Sequence, residues 1–272
     1  MPESPAARPP SGPYAVALFF ALACAITWLL DAPLALAWAR HVPLPPWALP
    51  LAGLGALGPT LAAFVIALRH RELRDVFGRW RTNPLWIVAA LLTPAALHLV
   101  ATLLEVALGG HPAQWFYPPV KPEYIAALVM FSVGEEFGWR GFAYPRLAGR
   151  YGPVIGSLIL GAVWGLWHLG MLFTPDKGAP DPLALGVMMT ELALCSVVLA
   201  WFLEHGNRSM AIAIAMHAGA HLDNVTRAPA SEVRLRILRL VVVGVAAALA
   251  AHALTARAKR RAAGADRTRA AG

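Results

Sequence analysis

The chain has 272 residues, of which 58% are hydrophobic and 14% charged, and its net charge is +8. A soluble domain carries about 45–50% apolar and about 25% charged residues. With a mean hydropathy of +0.57, this composition excludes an ordinary soluble domain and points to membrane spans of about 20 apolar residues each. Two cysteines, Cys24 and Cys195, both inside apolar stretches, exclude a disulfide framework and a thiolate metal site.

In chain order, residues 1–13 form a Pro- and Ala-rich tail. The apolar stretch that follows is too long for a signal-peptide core and reads as a retained span. Eight spans are expected, over 14–39, 47–68, 84–108, 122–140, 153–173, 183–204, 209–223 and 234–255, the seventh being short. Pro-rich pieces separate several of them, at Pro43, Pro45 and Pro46, at Pro112, Pro118, Pro119 and Pro122, and at Pro175, Pro180 and Pro182. Irregular backbone is costly in hydrocarbon, so these pieces belong at the interfaces. Trp47, Trp86, Trp115, Tyr117, Tyr124 and Tyr151 near span ends read as an aromatic belt. The fold class is thus an all-α polytopic helix bundle. Its parts are an N-terminal tail (1–13), N-terminal helices (14–120), a polar-motif core (121–225), a last helix (226–256) and a basic disordered tail (257–272).

Lys and Arg in short loops set orientation. The second loop holds Arg69, Arg71, Arg74, Arg79 and Arg81. Placing it in the cytoplasm places both termini there, together with the fourth loop (Arg146, Arg150) and the sixth (Arg208). The seventh loop disagrees, because Arg227, Arg234, Arg236 and Arg239 sit in or near it on the other side. The basic tail, Arg257 to Arg269, directly follows an apolar segment, so anionic lipid headgroups are its expected partners and nucleic acid is not.

Ionisable side chains within a span are expensive and by default mark function, pairing or a wet cavity. Three places stand out. In Glu135-Glu136-x-x-x-Arg140, Glu136 and Arg140 are four apart and share a helical face, so they are placed to pair. Glu135 is rotated about 100° away, which suggests one orienting and one reactive carboxylate. The bland alternative is a solvated interface cluster. In Trp164-x-x-x-His168 the histidine lies within an apolar helix, and its bland alternative is a core imidazole bonded to a carbonyl. His217 and His221, again four apart, lie on one face with Ala218, Gly219 and Ala220 between them. That spacing suits a metal as well as a pair of interfacial histidines. Asn224 falls near the same face. Glu191, His98 and Glu105 are further buried-looking polar residues, read as packing or ion-pair groups, and Asp31 with Pro33 reads as an end or a kink of the first span.

These motifs resemble those of the CPBP family, the type II CAAX prenyl endopeptidases and their bacterial Abi relatives. The family's Glu-Glu-x-x-x-Arg is matched in full at Glu135, Glu136 and Arg140, with Gly141, Phe142 and Leu147 following in its style. Its Phe-x-x-x-His appears as Trp164-x-x-x-His168, and its His-x-x-x-Asn/Asp appears as His217-x-x-x-His221. The resemblance covers about residues 120–225. It implies an intramembrane endopeptidase acting on a membrane-associated protein or peptide, in the cell membrane of a bacterium. It also implies that Glu135 activates water with help from His168, that Glu136 and Arg140 hold Glu135, and that His217 and His221 stabilise the oxyanion. A second version has Glu135, His168 and His217 bind one zinc ion whose water is the nucleophile. The carboxylates are expected toward the cytoplasmic end of their span. Two other functions compete: a proton- or ion-coupled transporter that would also use Glu191 and His98, and a catalytically silent scaffold or immunity factor.

Overall fold

A computed structural model of the chain describes residues 13–119, 121, 124–173, 182–223 and 233–270. These residues are helices joined by turns: α1 (Pro13–Ala39), α2 (Ala48–Gly55), α3 (Gly58–His70), α4 (Leu73–Phe77), α5 (Pro84–Ala107), α6 (Tyr124–Glu136), α7 (Tyr144–Trp167), α8 (Pro182–His205), α9 (Met210–Leu222) and α10 (Val233–Ala270). A π-helical segment, Phe137–Ala143, joins α6 to α7, and a 3-10 turn, His168–Leu172, follows α7. Among the described residues five helical stretches are long and apolar enough to cross a membrane, or six if the bent pair α2 and α3 counts as one span. The expected fourth and fifth spans lie in a single such stretch, 127–170, and the seventh is the shorter apolar α9. Every expected apolar segment is therefore a helix, and the chain is an integral membrane protein.

Local sequence sets several boundaries. Asn83 caps α5, its side-chain oxygen accepting from the Leu85 N–H at 3.0 Å, with Pro84 at the first helical position, where its missing N–H costs nothing. The expected second span is divided: α2 and α3 meet at a 45° bend between Gly55 and the Gly58-Pro59 pair that opens α3, the residue types that break helices. Within α7 the backbone leaves helical geometry at Gly152 (φ 79°, ψ 163°), a left-handed φ that glycine adopts readily. α10 runs on past the last apolar residues into the basic stretch from 257. It continues to Ala270, through Ala- and Arg-rich sequence free of proline, and both residues rank high in helix propensity. The tail expected over 1–13 lies outside the described residues up to position 12, and Asn224 and Arg227 lie outside them as well.

The bundle packs α7 on α8, α5 on α9, α10 on α8 and α5, and α1 on α2 and α3, with α6 against α9. Close approach of the π segment to α3 depends on Gly138, where an added Cβ would stand 2.6 Å from the Pro59 Cβ. The second, fourth and sixth loops lie on one side. Arg146 donates to Glu72 at 2.5 Å, the Met210 N–H donates to the Arg79 carbonyl at 2.7 Å, and the Ser209 hydroxyl donates to the Trp80 carbonyl at 2.8 Å. Two of the arginines that disagreed with the charge rule, Arg234 and Arg239, are engaged by acids of the bundle. Arg234 clamps Glu105 with contacts of 2.6–2.9 Å, and Arg239, itself buried, pairs with Glu191 at 2.7 Å. Tyr117 does not join an aromatic belt: it is buried beside Ala101 and Leu235, and its N–H donates to Asp223 at 2.8 Å.

Candidate active site

The three polar motifs converge. Glu135 and Glu136 close α6, Arg140 sits in the π segment, His168 opens the 3-10 turn after α7, and His217 and His221 lie on α9. π segments recur at functional sites, and this one is seated between α3, α6, α7 and α9.

Glu136 is the hub. It is fully buried, and its Oε1 accepts from Arg140 Nη1 at 2.7 Å and from His217 Nδ1 at 2.8 Å. A carboxylate accepts only through a protonated ring nitrogen, so His217 carries its proton on Nδ1 and turns Nε2 toward Glu135, 3.9 Å from Oε1. Arg140 also donates to the Ser196 hydroxyl at 3.1 Å and lies over the Trp164 ring, 4.5 Å from its centroid. The pair Glu136–Arg140 therefore orients His217, where the resemblance implied that it would hold Glu135.

Trp164 holds Glu135 instead, its indole N–H donating to Oε2 at 2.8 Å. The indole was missed as a functional group when the sequence was read. The signal was present, since the family's phenylalanine at this position has no N–H to give. Trp164 also offers its carbonyl to His168 Nδ1 at 2.8 Å, which fixes that tautomer and leaves His168 Nε2 for other work. Its ring meets both imidazoles edge-on, at 5.4 Å for His168 and 5.3 Å for His217. His221 stacks on His217 at 4.9 Å between ring centroids. Ser196 was likewise missed, because nothing local links α8 to a motif on α6.

Glu136, Arg140, Trp164 and His217 line a cavity of about 50 Å³, closed further by Pro94, Cys195 and Arg239. That volume holds a water molecule and not a peptide. The donor types, two imidazoles and a carboxylate, are those zinc takes. Among the described residues, however, no three His, Cys, Asp or Glu side chains converge closely enough to hold a metal ion.

Glu105 and Glu191 stand apart from this network in their ion pairs. His98 is buried against Tyr117, 5.7 Å between ring centroids.

Residues 118–222 match the family model of the Rce1-like type II CAAX prenyl endopeptidases. A curated relative, CAAX prenyl protease 2 of Methanococcus maripaludis, is 25% identical over 142 residues, covering 48% of this chain and 52% of that protein. The chain spans about half the length of this curated relative. The matched region contains all six polar motif residues, and the resemblance read from them is borne out.

Proposed function

We propose that this chain, which belongs through residues 118–222 to the CPBP family of type II CAAX prenyl endopeptidases, hydrolyses a peptide bond of a membrane-associated protein or peptide within the bilayer. One observation carries the reading: residues far apart in sequence form one buried polar cluster, in which Glu136 accepts from Arg140 and His217, Glu135 accepts from Trp164, and the two sets meet where Arg140 covers the Trp164 ring at 4.5 Å and His217 Nε2 stands 3.9 Å from Glu135. A cluster this costly to bury is expected only where it works.

In this reading Glu135, held by the Trp164 indole, takes a proton from a water that His168 Nε2 helps to position. The hydroxide oxygen bonds the carbonyl carbon. The resulting oxyanion is met by His217 Nε2, carrying its second proton, and by His221. When the C–N bond breaks, Glu135 returns the proton to the leaving amine, so protons balance over the cycle. A positioned acid–base contributes about 10²–10⁴-fold, and each oxyanion donor about 10²–10³-fold. Glu136 and Arg140 act as positioning residues by fixing the tautomer and angle of His217. The cavity admits water alone, so substrate entry requires the helices around it to part. Both termini are taken to lie on the cytoplasmic side of a cell membrane, because the basic loops after α3, within α7 and after α8 share one side.

The test is cleavage of quenched fluorescent peptides, one with a prenylated C-terminus and one spanning the bilayer, by purified protein in liposomes. Wild type cleaves at least one, and His168→Ala is slower by about 10²-fold or more. A protein that cuts neither, or a His168→Ala variant as fast as wild type, overturns the proposal.

A further inference from the structure

On the side of the bundle that gathers the basic loops lies a cavity of about 870 Å³, a size typical of ligand sites. Its walls divide by chemistry. Arg79, Arg146 and Arg150 stand with Glu72 and Asp75 on α4, its flanks and the first turns of α7. Val16 and Phe20 from the first turns of α1, with Ile159 from α7, supply the apolar wall. A polar rim beside an apolar slot, at the end of a membrane helix, has the shape of an amphiphile.

Positive charge is in excess at the rim. Glu72 is engaged by Arg146 at 2.5 Å. The Arg79 side chain donates to the backbone carbonyls of Asp75 and Gly141. Arg150 lies over the Tyr151 ring at 5.3 Å. Arg79 also lines the neighbouring cavity with Arg208 and Arg257. Burial, and then the like charges of Arg208 and Arg146, push the Arg79 guanidinium below its usual range. Crowded guanidiniums of this kind are relieved by an anion, and phosphate oxygens match their planar forks.

We propose that this cavity is a binding site for an anionic glycerophospholipid, with its phosphate held at the Arg79–Arg146–Arg150 rim and its acyl chain against α1 and α7. The site is independent of the chemistry at Glu135: it lies at the opposite end of α7 from His168.

The experiment uses the full chain in lipid nanodiscs of phosphatidylcholine with and without phosphatidylglycerol. It reads co-purifying lipid by native mass spectrometry and thermal melting in parallel. Wild type retains phosphatidylglycerol over phosphatidylcholine and melts higher in its presence. Arg150→Glu weakens retention by about tenfold or more, and Arg150→Lys restores most of it. Arg40→Glu, at the far end of α1, changes nothing. Melting of Arg150→Glu in phosphatidylcholine alone must equal that of wild type, which separates lost binding from lost folding. Where it does not, Arg79→Gln is read in the same way. The proposal is overturned if phosphatidylglycerol binds no better than phosphatidylcholine, or if both arginine variants bind as wild type. Inorganic phosphate displacing the lipid completely makes this a free-anion site and overturns the lipid assignment. Lipid binding that rises when residues 1–12 are removed gives the cavity to that segment and also overturns it.

Discussion

Replacing Trp164 by phenylalanine removes one hydrogen bond and little else. The ring that Arg140 covers at 4.5 Å remains, as does the backbone carbonyl that fixes His168. What disappears is the indole N–H donated to Glu135 Oε2 at 2.8 Å, between side chains that are both buried. A hydrogen bond to a charged group contributes about 1.5–3 kcal/mol, and on the transition state that is about 10- to 150-fold in rate. Trp164→Phe is therefore expected to lower kcat/KM for peptide cleavage in liposomes by about that factor. Its melting temperature should fall only by the small amount due to the shaved ring. The family's own phenylalanine at this position makes the test sharp: a variant with wild-type kcat/KM would show that Glu135 is positioned by something other than the indole.

Asp31 is 1% exposed, and neither of its carboxyl oxygens has a hydrogen-bond partner among the described residues. Leaving such a group buried costs about 1–3 kcal/mol, so Asp31→Ala should raise thermal stability by about 1 kcal/mol or more; a lower melting temperature would show that the carboxyl has a stabilising partner. Exhaustive chelation, checked by metal analysis of the same sample, is expected to leave cleavage intact, because the proposed reaction activates water with Glu135 and His168 and uses no metal ion. Activity lost with the metal and regained with zinc would reject that.

The membrane helices were legible because hydropathy is a local property that each span must satisfy alone. The break between α2 and α3 was visible in Gly55, Gly58 and Pro59 but was subsumed into one apolar window. The i,i+4 spacing of Glu136 and Arg140 gave their ion pair correctly, since both residues lie within two helical turns. The partner of that pair, His217, lies 81 residues on, and no periodicity carries such a distance. The same limit hid the pairing of Glu105 with Arg234 and of Glu191 with Arg239. Those pairs bear on charge counting at the loop before α10, because an arginine matched to an acid carries less information about which side it faces. The motif order, by contrast, brought Glu135, His168 and His217 into one reading before any contact was known.

The most direct test is the cleavage rate of Glu135→Gln against wild type in liposomes. The amide keeps the size of the side chain and an oxygen for the Trp164 N–H, and it cannot take a proton from water. The account predicts a loss of about 10³-fold or more with the melting temperature unchanged; a Gln variant that cleaves at the wild-type rate would contradict it.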